Sequence, residues 1–213
     1  MKNIFSKNTV VLFQGDSITD CGRDRADPKG LGQGYPVKIA GLYDLLFPDH
    51  EVSFINRGVS GDRAADLVRR YQDDFASIKP DLVSILIGIN DTWRRYDSAN
   101  DPTTAAAFEQ NYRTVLQNLK RDFPAARILI IEPFLLNTDS AKLVWREDLD
   151  PKIEAVRRLA REYADVFIPM DGILTRYAAE GIPDAELTAD GVHPTSAGHG
   201  VIAEEWLKAL GIL

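Results

Sequence analysis

The chain has 213 residues, 45% hydrophobic and 27% charged, which is ordinary globular composition and argues against a disordered protein. Its 25 Lys and Arg residues are outnumbered by 32 Asp and Glu, and the formal charge of −7 disfavours non-specific binding to nucleic-acid phosphates or anionic membranes. The single cysteine, Cys21, excludes an internal disulfide framework and a multi-cysteine zinc site. We therefore expect a single domain over residues 1–213, with no nucleic acid and no membrane as partner.

The amino terminus has none of the features of a secretion signal. Its first apolar run extends only from Val10 to Phe13, whereas a signal peptide needs a core of ~7–15 apolar residues. No run approaches the ~20 apolar residues of a membrane-spanning helix. The expected location is therefore cytoplasmic.

Five short apolar runs, rich in β-branched residues, alternate with amphipathic stretches along the chain. Uninterrupted runs of this kind are typical of strands buried on both faces of a parallel sheet. The predicted strands are Thr9–Gln14, Val52–Asn56, Leu82–Ile87, Arg127–Ile131 and Val166–Pro169.

Helical spacing of apolar residues fills the intervals between these runs. The first and last predicted helices cover Tyr35–Phe47 and Ser196–Leu210. Three further helices are predicted behind a capping residue or a first-turn proline: one capped by Asp62, one behind Asp101-Pro102, and one opened by Asp150-Pro151. Repeated strand–helix alternation implies right-handed crossovers and an α/β fold, specifically a three-layer α/β/α sandwich.

The segments that directly follow the first three strands are polar and rich in glycine. They are Gly15–Asp20, Asn56–Gly61 and Gly88–Asp91. Ligands of open parallel sheets bind outside the carboxyl ends of the strands, so we expect these three segments to form one edge.

Ser17 is a candidate nucleophile, and the segment from Asp190 to Pro194 supplies what a serine needs. A hydroxyl attacks poorly unless a base takes its proton, and histidine suits that task near neutral pH. A carboxylate fixes the tautomer of the base and stabilises the imidazolium. Asp190 and His193 are three residues apart, so the carboxylate can reach the near imidazole nitrogen while the far one points to Ser17.

Attack on a carbonyl also creates an oxyanion, which requires hydrogen-bond donors held in place beforehand. The strand ends place three candidate donors close together. These are the backbone N–H of Ser17, the backbone N–H of Gly58 and the side-chain amide of Asn90.

These residues resemble the four signature blocks of the SGNH (GDSL) hydrolases. Gly15-Asp16-Ser17-Ile18, Gly58, Gly88–Asp91 and Asp190–Pro194 occur in the family's order and span positions 15 to 194. The resemblance implies a flavodoxin-like sandwich with a five-stranded parallel sheet, an acyl-serine intermediate, and neither a metal nor another cofactor. It assigns the nucleophile to Ser17, the acid and base to Asp190 and His193, and the oxyanion donors to Ser17, Gly58 and Asn90.

Within the family, two longer stretches are similar to the bacterial carbohydrate acetylesterases, including those that act on xylan oligosaccharides. The stretches are residues 16–23 and 88–94, and Ile18 stands where the family name has leucine. We therefore expect a serine esterase, most simply an acetylesterase, that acts on a small ester or an acetylated (xylo-)oligosaccharide. Similar esterases often assemble into multimers, so a homo-oligomer is compatible with this expectation.

Other interpretations of the same residues remain open at this point. Asn90 and Asp91 can simply start a helix. Asp190, His193 and His199 could be taken as metal ligands, although the two histidines are six residues apart and have no clear third strong ligand beside them. Cys21 can be a reactive thiol or an ordinary, partly buried one. The segment from Trp93 to Tyr96 can line a sugar site, form a subunit contact or be a solvated loop.

Three other classes of protein are alternatives for the function. A thioesterase or a small lipid-ester hydrolase would use the same residues, whereas an ordinary α/β-hydrolase would need Gly-x-Ser-x-Gly, and Thr19 stands at the second glycine. A carbohydrate-binding protein without catalysis is the non-enzyme alternative, and nothing in the sequence favours it.

Overall fold

The computed structural model describes residues 2–213, and five strands within them form one parallel sheet. The strands are β1 (Val10–Gly15), β2 (Ser53–Asn56), β3 (Leu82–Leu86), β4 (Arg127–Ile131) and β5 (Val166–Ile168). Their spatial order is β2-β1-β3-β4-β5, and each neighbouring pair runs parallel. This is the flavodoxin-like order, in which the connections reverse direction beside β1 and leave a crevice between β1 and β3. The predicted three-layer sandwich is confirmed, and each predicted strand end lies within one residue of the observed one.

Helices cover both faces of the sheet. They are α1 (Ser17–Asp20), α2 (Tyr35–Leu46), α3 (Ala64–Arg69), α4 (Ile89–Tyr96), α5 (Ala105–Asp122), α6 (Arg146–Tyr163), α7 (Met170–Ala179), α8 (Asp184–Leu187) and α9 (Ser196–Ala209). The helices α2, α7 and α9 contribute to the apolar cluster on one face, and α3, α5 and most of the apolar side of α6 form the cluster on the other. Val11 and Phe13 of β1 belong to the first cluster and Leu12 to the second, because successive side chains of a strand point to opposite faces.

The predicted start of three helices is wrong, and each error has a local cause. Asp62 does not cap α3, because its carboxylate pairs with Arg70; the Ala64 N–H instead donates to Asp91 Oδ2 at 3.0 Å. The helix expected behind Asp101-Pro102 begins later, where the Thr104 hydroxyl accepts the Ala107 N–H at 3.1 Å.

The third helix, α6, begins earlier than Asp150-Pro151. A 3-10 turn over Ser140–Trp145 leads directly into it, so the backbone is already helical when it reaches Arg146. Pro151 therefore lies inside the helix, where it removes one backbone hydrogen bond without ending it.

The predicted pattern from Ala64 to Phe75 also divides into two parts. The helix α3 ends at Arg69, and a π-helical turn over Gln72–Ala76 brings Phe75 into the core, where it is fully buried. No helix within residues 2–213 combines the length and the apolar character needed to cross a membrane.

Candidate active site

Ser17 is the first residue of α1, a helix of only four residues that begins directly after β1. Asp16 is its N-cap, and its Oδ1 accepts the Ile18 N–H at 3.0 Å, which turns the chain sharply out of the strand. Gly15, at φ +157°, allows this turn because a Cβ there would lie 2.2 Å from the Leu86 carbonyl oxygen of β3. The turn presents the Ser17 hydroxyl at the carboxyl edge of the sheet.

The structure brings Ser17, His193 and Asp190 together in the predicted arrangement. Ser17 Oγ lies 3.1 Å from His193 Nε2, and His193 Nδ1 lies 3.1 Å from Asp190 Oδ2. A carboxylate can only accept, so Nδ1 carries the proton and donates it, and Nε2 is left free to accept the hydroxyl proton of Ser17. This is the geometry of a serine activated by a histidine base.

Asp190 is ionised in this arrangement. Burial raises its pKa, but the N–H groups of His193 and Val192, the Lys142 ammonium and the imidazole N–H together hold that pKa well below the usual range. Asp190 Oδ1 accepts both backbone N–H groups, at 2.8 Å from His193 N and 3.0 Å from Val192 N. The loop therefore fixes the carboxylate by its own backbone before the imidazole engages it.

Two of the predicted oxyanion donors face the same cavity as the Ser17 hydroxyl. The Ser17 N–H, at the N-terminus of α1, has no acceptor among the residues that the structure describes. The Asn90 side chain is buried and donates one amide hydrogen to the Asp62 carbonyl oxygen at 3.1 Å. That bond orients the amide and leaves its second hydrogen for a ligand in the cavity.

The prediction of Gly58 as the third oxyanion donor is wrong. Its N–H donates to Asn56 Oδ1 at 2.8 Å, so it has no hydrogen left for an oxyanion. Glycine is required at this position by packing, because a Cβ would lie 2.5 Å from Asp20 N and 2.8 Å from Thr19 Cβ. Gly58 therefore lets the loop after β2 lie directly against α1.

Gly61, three residues further along the same loop, is the candidate donor in place of Gly58. It lines the cavity with Ser17 and Asn90, and its N–H has no acceptor among residues 2–213. Its φ of +88° lies in the left-handed region, which favours glycine. The only signal in the sequence is a second glycine in the loop after a strand, and spacing alone does not distinguish the two.

Buried carboxylates hold the Gly61 loop on both sides. Asp20 Oδ2 accepts the Ser60 N–H at 2.9 Å and the Ser60 hydroxyl at 2.8 Å. On the other side, Asp91 caps α3 through Ala64. The candidate donors of Gly61 and Asn90 are therefore connected through α3 and α4 rather than set by a free loop.

Two of the carboxyl groups around this loop have pKa values far above normal. Burial, reinforced by the charges of Asp91 and Asp62 and opposed by the Ile18 N–H, raises the pKa of Asp16 to about 7. Burial also raises the pKa of Asp91 to about 7, against the Ala64 N–H and the Lys152 charge. One oxygen of each, Asp16 Oδ2 and Asp91 Oδ1, has no hydrogen-bond partner among the described residues.

Asp91→Asn is expected to become more stable relative to wild type as the pH rises from 5 to 8. A raised folded-state pKa means that protonated Asp91 stabilises the wild type at low pH, and this contribution is lost as pH rises through about 7. The asparagine keeps an oxygen for the Ala64 N–H and never ionises. Urea unfolding of both proteins at pH 5 and pH 8 measures the difference, and equal differences at the two pH values would contradict it.

The cavity beside the Ser17 hydroxyl has a volume of about 260 Å³. Its lining residues are Ser17, Ser60, Gly61, Asn90, Trp93, Arg94 and His193. A larger cavity of about 470 Å³ runs along β2 and is lined by Lys29 and Arg57 among others, but neither Ser17 nor His193 lines it. The smaller cavity is therefore the candidate active site.

The segment from Trp93 to Tyr96, which lies on α4, divides between the cavity and contacts at the surface with the 3-10 turn and α6. Trp93 and Arg94 line the cavity, and the Trp93 ring centroid lies 5.6 Å from that of His193. Tyr96 stacks on Trp145 at 5.4 Å, and Arg95 pairs with Asp148 at 3.4 Å.

Cys21 and His199 form a sulfur–imidazole pair whose chemistry differs from that of Ser17 and His193. Sγ lies 3.4 Å from His199 Nε2, while His199 Nδ1 accepts the Tyr35 N–H at 3.1 Å. Nδ1 is thus unprotonated, so Nε2 carries the hydrogen and cannot take one from the thiol. Burial, the main cause, lowers the pKa of His199 to about 4, and burial raises the pKa of the Cys21 thiol. This pair is built as a packed, neutral contact rather than as a nucleophile and base.

Both ring nitrogens of His199 are therefore engaged, by Cys21 and by the Tyr35 N–H, rather than shared with Asp190 and His193 in a metal site. Within residues 2–213 there is no group of three His, Cys, Asp or Glu side chains arranged to hold a metal ion.

Comparisons of the sequence and of the structure with known proteins point to one family. Residues 13–201 match the GDSL-like Lipase/Acylhydrolase family. The acetylxylan esterase of Geobacillus stearothermophilus is 32% identical over 206 residues, which are 94% of this chain and 93% of that protein. A crystal structure of that organism's acetylxylan esterase has a TM-score of 0.86 and covers 96% of this chain and 95% of its own. A Parabacteroides merdae protein described as GDSL-like lipase has a TM-score of 0.90 at 32% identity, over 97% of each chain.

Proposed function

Because the chain belongs to the GDSL-like lipase/acylhydrolase family and is a carboxylic ester hydrolase, we propose that it removes O-acetyl groups from (xylo-)oligosaccharides through an acyl-serine intermediate. The observation that carries the proposal is the line from Ser17 Oγ through His193 to Asp190, with 3.1 Å at each step. In this proposal Ser17 is the nucleophile, His193 the acid–base, and Asp190 the carboxylate that orients it.

The first half of the reaction acylates Ser17. His193 Nε2 takes the hydroxyl proton as Ser17 Oγ attacks the ester carbonyl carbon, and the carbonyl oxygen becomes an oxyanion. The Ser17 N–H, the Gly61 N–H and the free hydrogen of the Asn90 amide supply its hydrogen bonds. The carbon–oxygen bond to the alcohol then breaks, and the alcohol leaves with the proton from His193.

The second half reverses the roles. Water attacks the acyl-serine carbonyl while His193 Nε2 takes one of its protons, and the oxyanion forms in the same place. The carboxylic acid leaves as the proton returns to Ser17 Oγ. Asp190 remains ionised throughout, which agrees with the low pKa imposed by its hydrogen-bond donors.

The size and lining of the cavity support a short acyl group. A volume of about 260 Å³ with an indole, a guanidinium, an amide and two hydroxyl-bearing residues on its walls suits an acetyl group better than a fatty chain. The related protein from Geobacillus stearothermophilus is named as an acetylxylan esterase, and its structures include variants of a serine, a histidine and an aspartate described as catalytic mutants. The family description and the Parabacteroides merdae protein carry the word lipase, which makes a small lipid-ester hydrolase the competing assignment, but the small polar cavity favours an acetyl group.

Rates on three substrate series test the substrate assignment. The series are acetylated xylo-oligosaccharides, p-nitrophenyl esters of increasing acyl length, and acyl-CoA thioesters, each with a Ser17→Ala blank. We expect acetate release from the oligosaccharides to give the highest kcat/KM, and a steep fall in the p-nitrophenyl series beyond short acyl chains. A higher kcat/KM on long-chain esters or on thioesters would replace the acetylesterase proposal.

Asn90→Ala is expected to lower kcat by ~10²–10³-fold with little change in KM, since the lost hydrogen bond forms fully only in the transition state. The Asp62 carbonyl oxygen also loses its donor, which costs about 1 kcal/mol of stability. Thermal unfolding of the same sample separates this cost from the effect on turnover. Unchanged turnover would remove Asn90 from the oxyanion site.

A further inference from the structure

Lys142, in the 3-10 turn before α6, is a second cation-bearing partner of Asp190 beside His193. Its Nζ donates to Asp190 Oδ2 at 3.0 Å and to the Asp190 carbonyl oxygen at 2.7 Å. The carboxylate oxygen that Lys142 binds is the same one that faces His193 Nδ1. Lys142 and His193 therefore compete for, and jointly orient, one oxygen atom.

The position of Lys142 is unusual for a lysine. Its side chain is only 14% exposed, and Nζ lies 5.0 Å from the ring centroid of Trp93 and 5.5 Å from that of Trp145. A lysine withdrawn from water pays a desolvation cost, which the carboxylate, the carbonyl oxygen and two indole faces offset here. Trp93 therefore lies between the cavity, where its ring packs against His193, and the ammonium of Lys142.

We propose that Lys142 is a positioning residue for the ester hydrolysis: its ammonium holds the Asp190 carboxylate against His193 and limits how strongly that carboxylate stabilises the imidazolium. The inference rests on the proposed function, because it gives Lys142 a role only through Asp190 and His193. Without the ammonium, an uncompensated Asp190 would favour the charged imidazole, and the base would be protonated over a wider pH range. The ammonium therefore offsets part of the negative charge that Asp190 directs at the imidazole.

The other titratable groups named around the site are each paired, neutral or buried. Arg94 lines the same cavity and pairs with Asp97, and His199 is neutral near pH 7 because burial lowers its pKa to about 4. Asp16, next to the nucleophile, is buried beneath α1. Of these groups, Lys142 is the one that directly binds the His193-facing oxygen of Asp190.

Lys142→Met tests the proposal, with Lys142→Arg as the charge-retaining variant. Methionine keeps an unbranched stem against Trp93 and Trp145 but removes the charge. The measurement is acetate release as kcat/KM against pH. For Lys142→Met we expect the acidic limb to move to higher pH by roughly 0.5–1 unit and the plateau to fall about 10-fold. For Lys142→Arg we expect the acidic limb of the pH profile to stay where it is in the wild type.

Lys120→Met is the control for net charge. It removes from α5 a lysine that pairs with Asp165, and it should also keep the acidic limb of the wild type.

A merely structural role would lower the plateau without moving the limb, so the pH profile separates the two. An unshifted limb in Lys142→Met, or an equal shift in Lys142→Arg, would overturn the inference. If Lys142→Met does not fold in a thermal melt, Lys142→Gln replaces it with the same expectation. Ser17→Ala runs beside them: activity in that variant would overturn the proposed function together with the inference, whereas an inactive Ser17→Ala with an unshifted Lys142→Met overturns the inference alone.

Discussion

Replacing Ser17 by alanine is expected to lower kcat on p-nitrophenyl acetate by at least ~10⁴-fold while the protein stays folded. Removing the nucleophile of a serine triad abolishes the covalent route and leaves only what the oxyanion site and binding contribute. The Ser17 hydroxyl donates to His193 at the wall of the cavity, so removing it leaves no void in the apolar core. Steady-state kinetics on the purified variant measure the loss, and far-UV circular dichroism confirms the fold.

Ser60→Ala is the matched control for that experiment. Ser60 lines the same cavity, but its hydroxyl donates to Asp20 Oδ2 at 2.8 Å and does not contact the imidazole. Its backbone N–H retains the bond to Asp20, so we expect a loss of no more than about 10-fold. Intact-mass analysis after a brief pulse of substrate gives a second test: wild type should gain one acetyl group, and Ser17→Ala should gain none. Comparable kcat in wild type and Ser17→Ala would sink the acyl-serine mechanism.

The sheet was predictable because its strands are short and buried on both faces. Five uninterrupted apolar runs separated by helical stretches are typical of a parallel sheet covered on both faces, and the observed strand ends lie within one residue of the predicted positions. Helix starts were harder because a cap can come from a distant part of the chain. Asp91 caps α3 across 27 residues, and no local pattern around Asp62 records that contact.

The candidate site also contains residues that the sequence indicates and residues that depend on contacts it does not record. Ser17, Asp190 and His193 were predictable because the chemistry demands those residue types, and two of them are close in sequence. The choice between Gly58 and Gly61 depended on whether Asn56 Oδ1 takes the Gly58 N–H, which is a matter of side-chain orientation. Lys142 gave no signal at all, since it is 48 residues from Asp190 and no local pattern in the sequence records that contact.

Replacing Asp190 by asparagine is expected to lower kcat by about 10⁴-fold, the size of the loss when a serine triad is left with the wrong tautomer. Asp190 Oδ1 accepts the backbone N–H groups of Val192 and His193, so an asparagine oxygen placed there keeps the loop in shape. Its NH₂ group then faces His193 Nδ1 and the Lys142 ammonium, both of which need an acceptor. His193 can satisfy the new donor only by moving its proton to Nε2, where it can no longer accept from Ser17.

The other orientation of the asparagine fails for a related reason. With its oxygen toward His193 and Lys142, its NH₂ group meets the two backbone N–H groups, and the loop loses its anchor. The expected loss therefore does not depend on which orientation the side chain adopts.

Asp184→Asn, which makes the same change of charge in α8, should keep kcat within about 3-fold, since its carboxylate lies outside the Ser17 cavity. The double variant Ser17→Ala/Asp190→Asn should be no slower than Ser17→Ala alone, because a carboxylate that acts only through His193 has nothing left to assist once the nucleophile is gone. A further loss in the double variant would mean that Asp190 acts on the substrate by a route that bypasses Ser17.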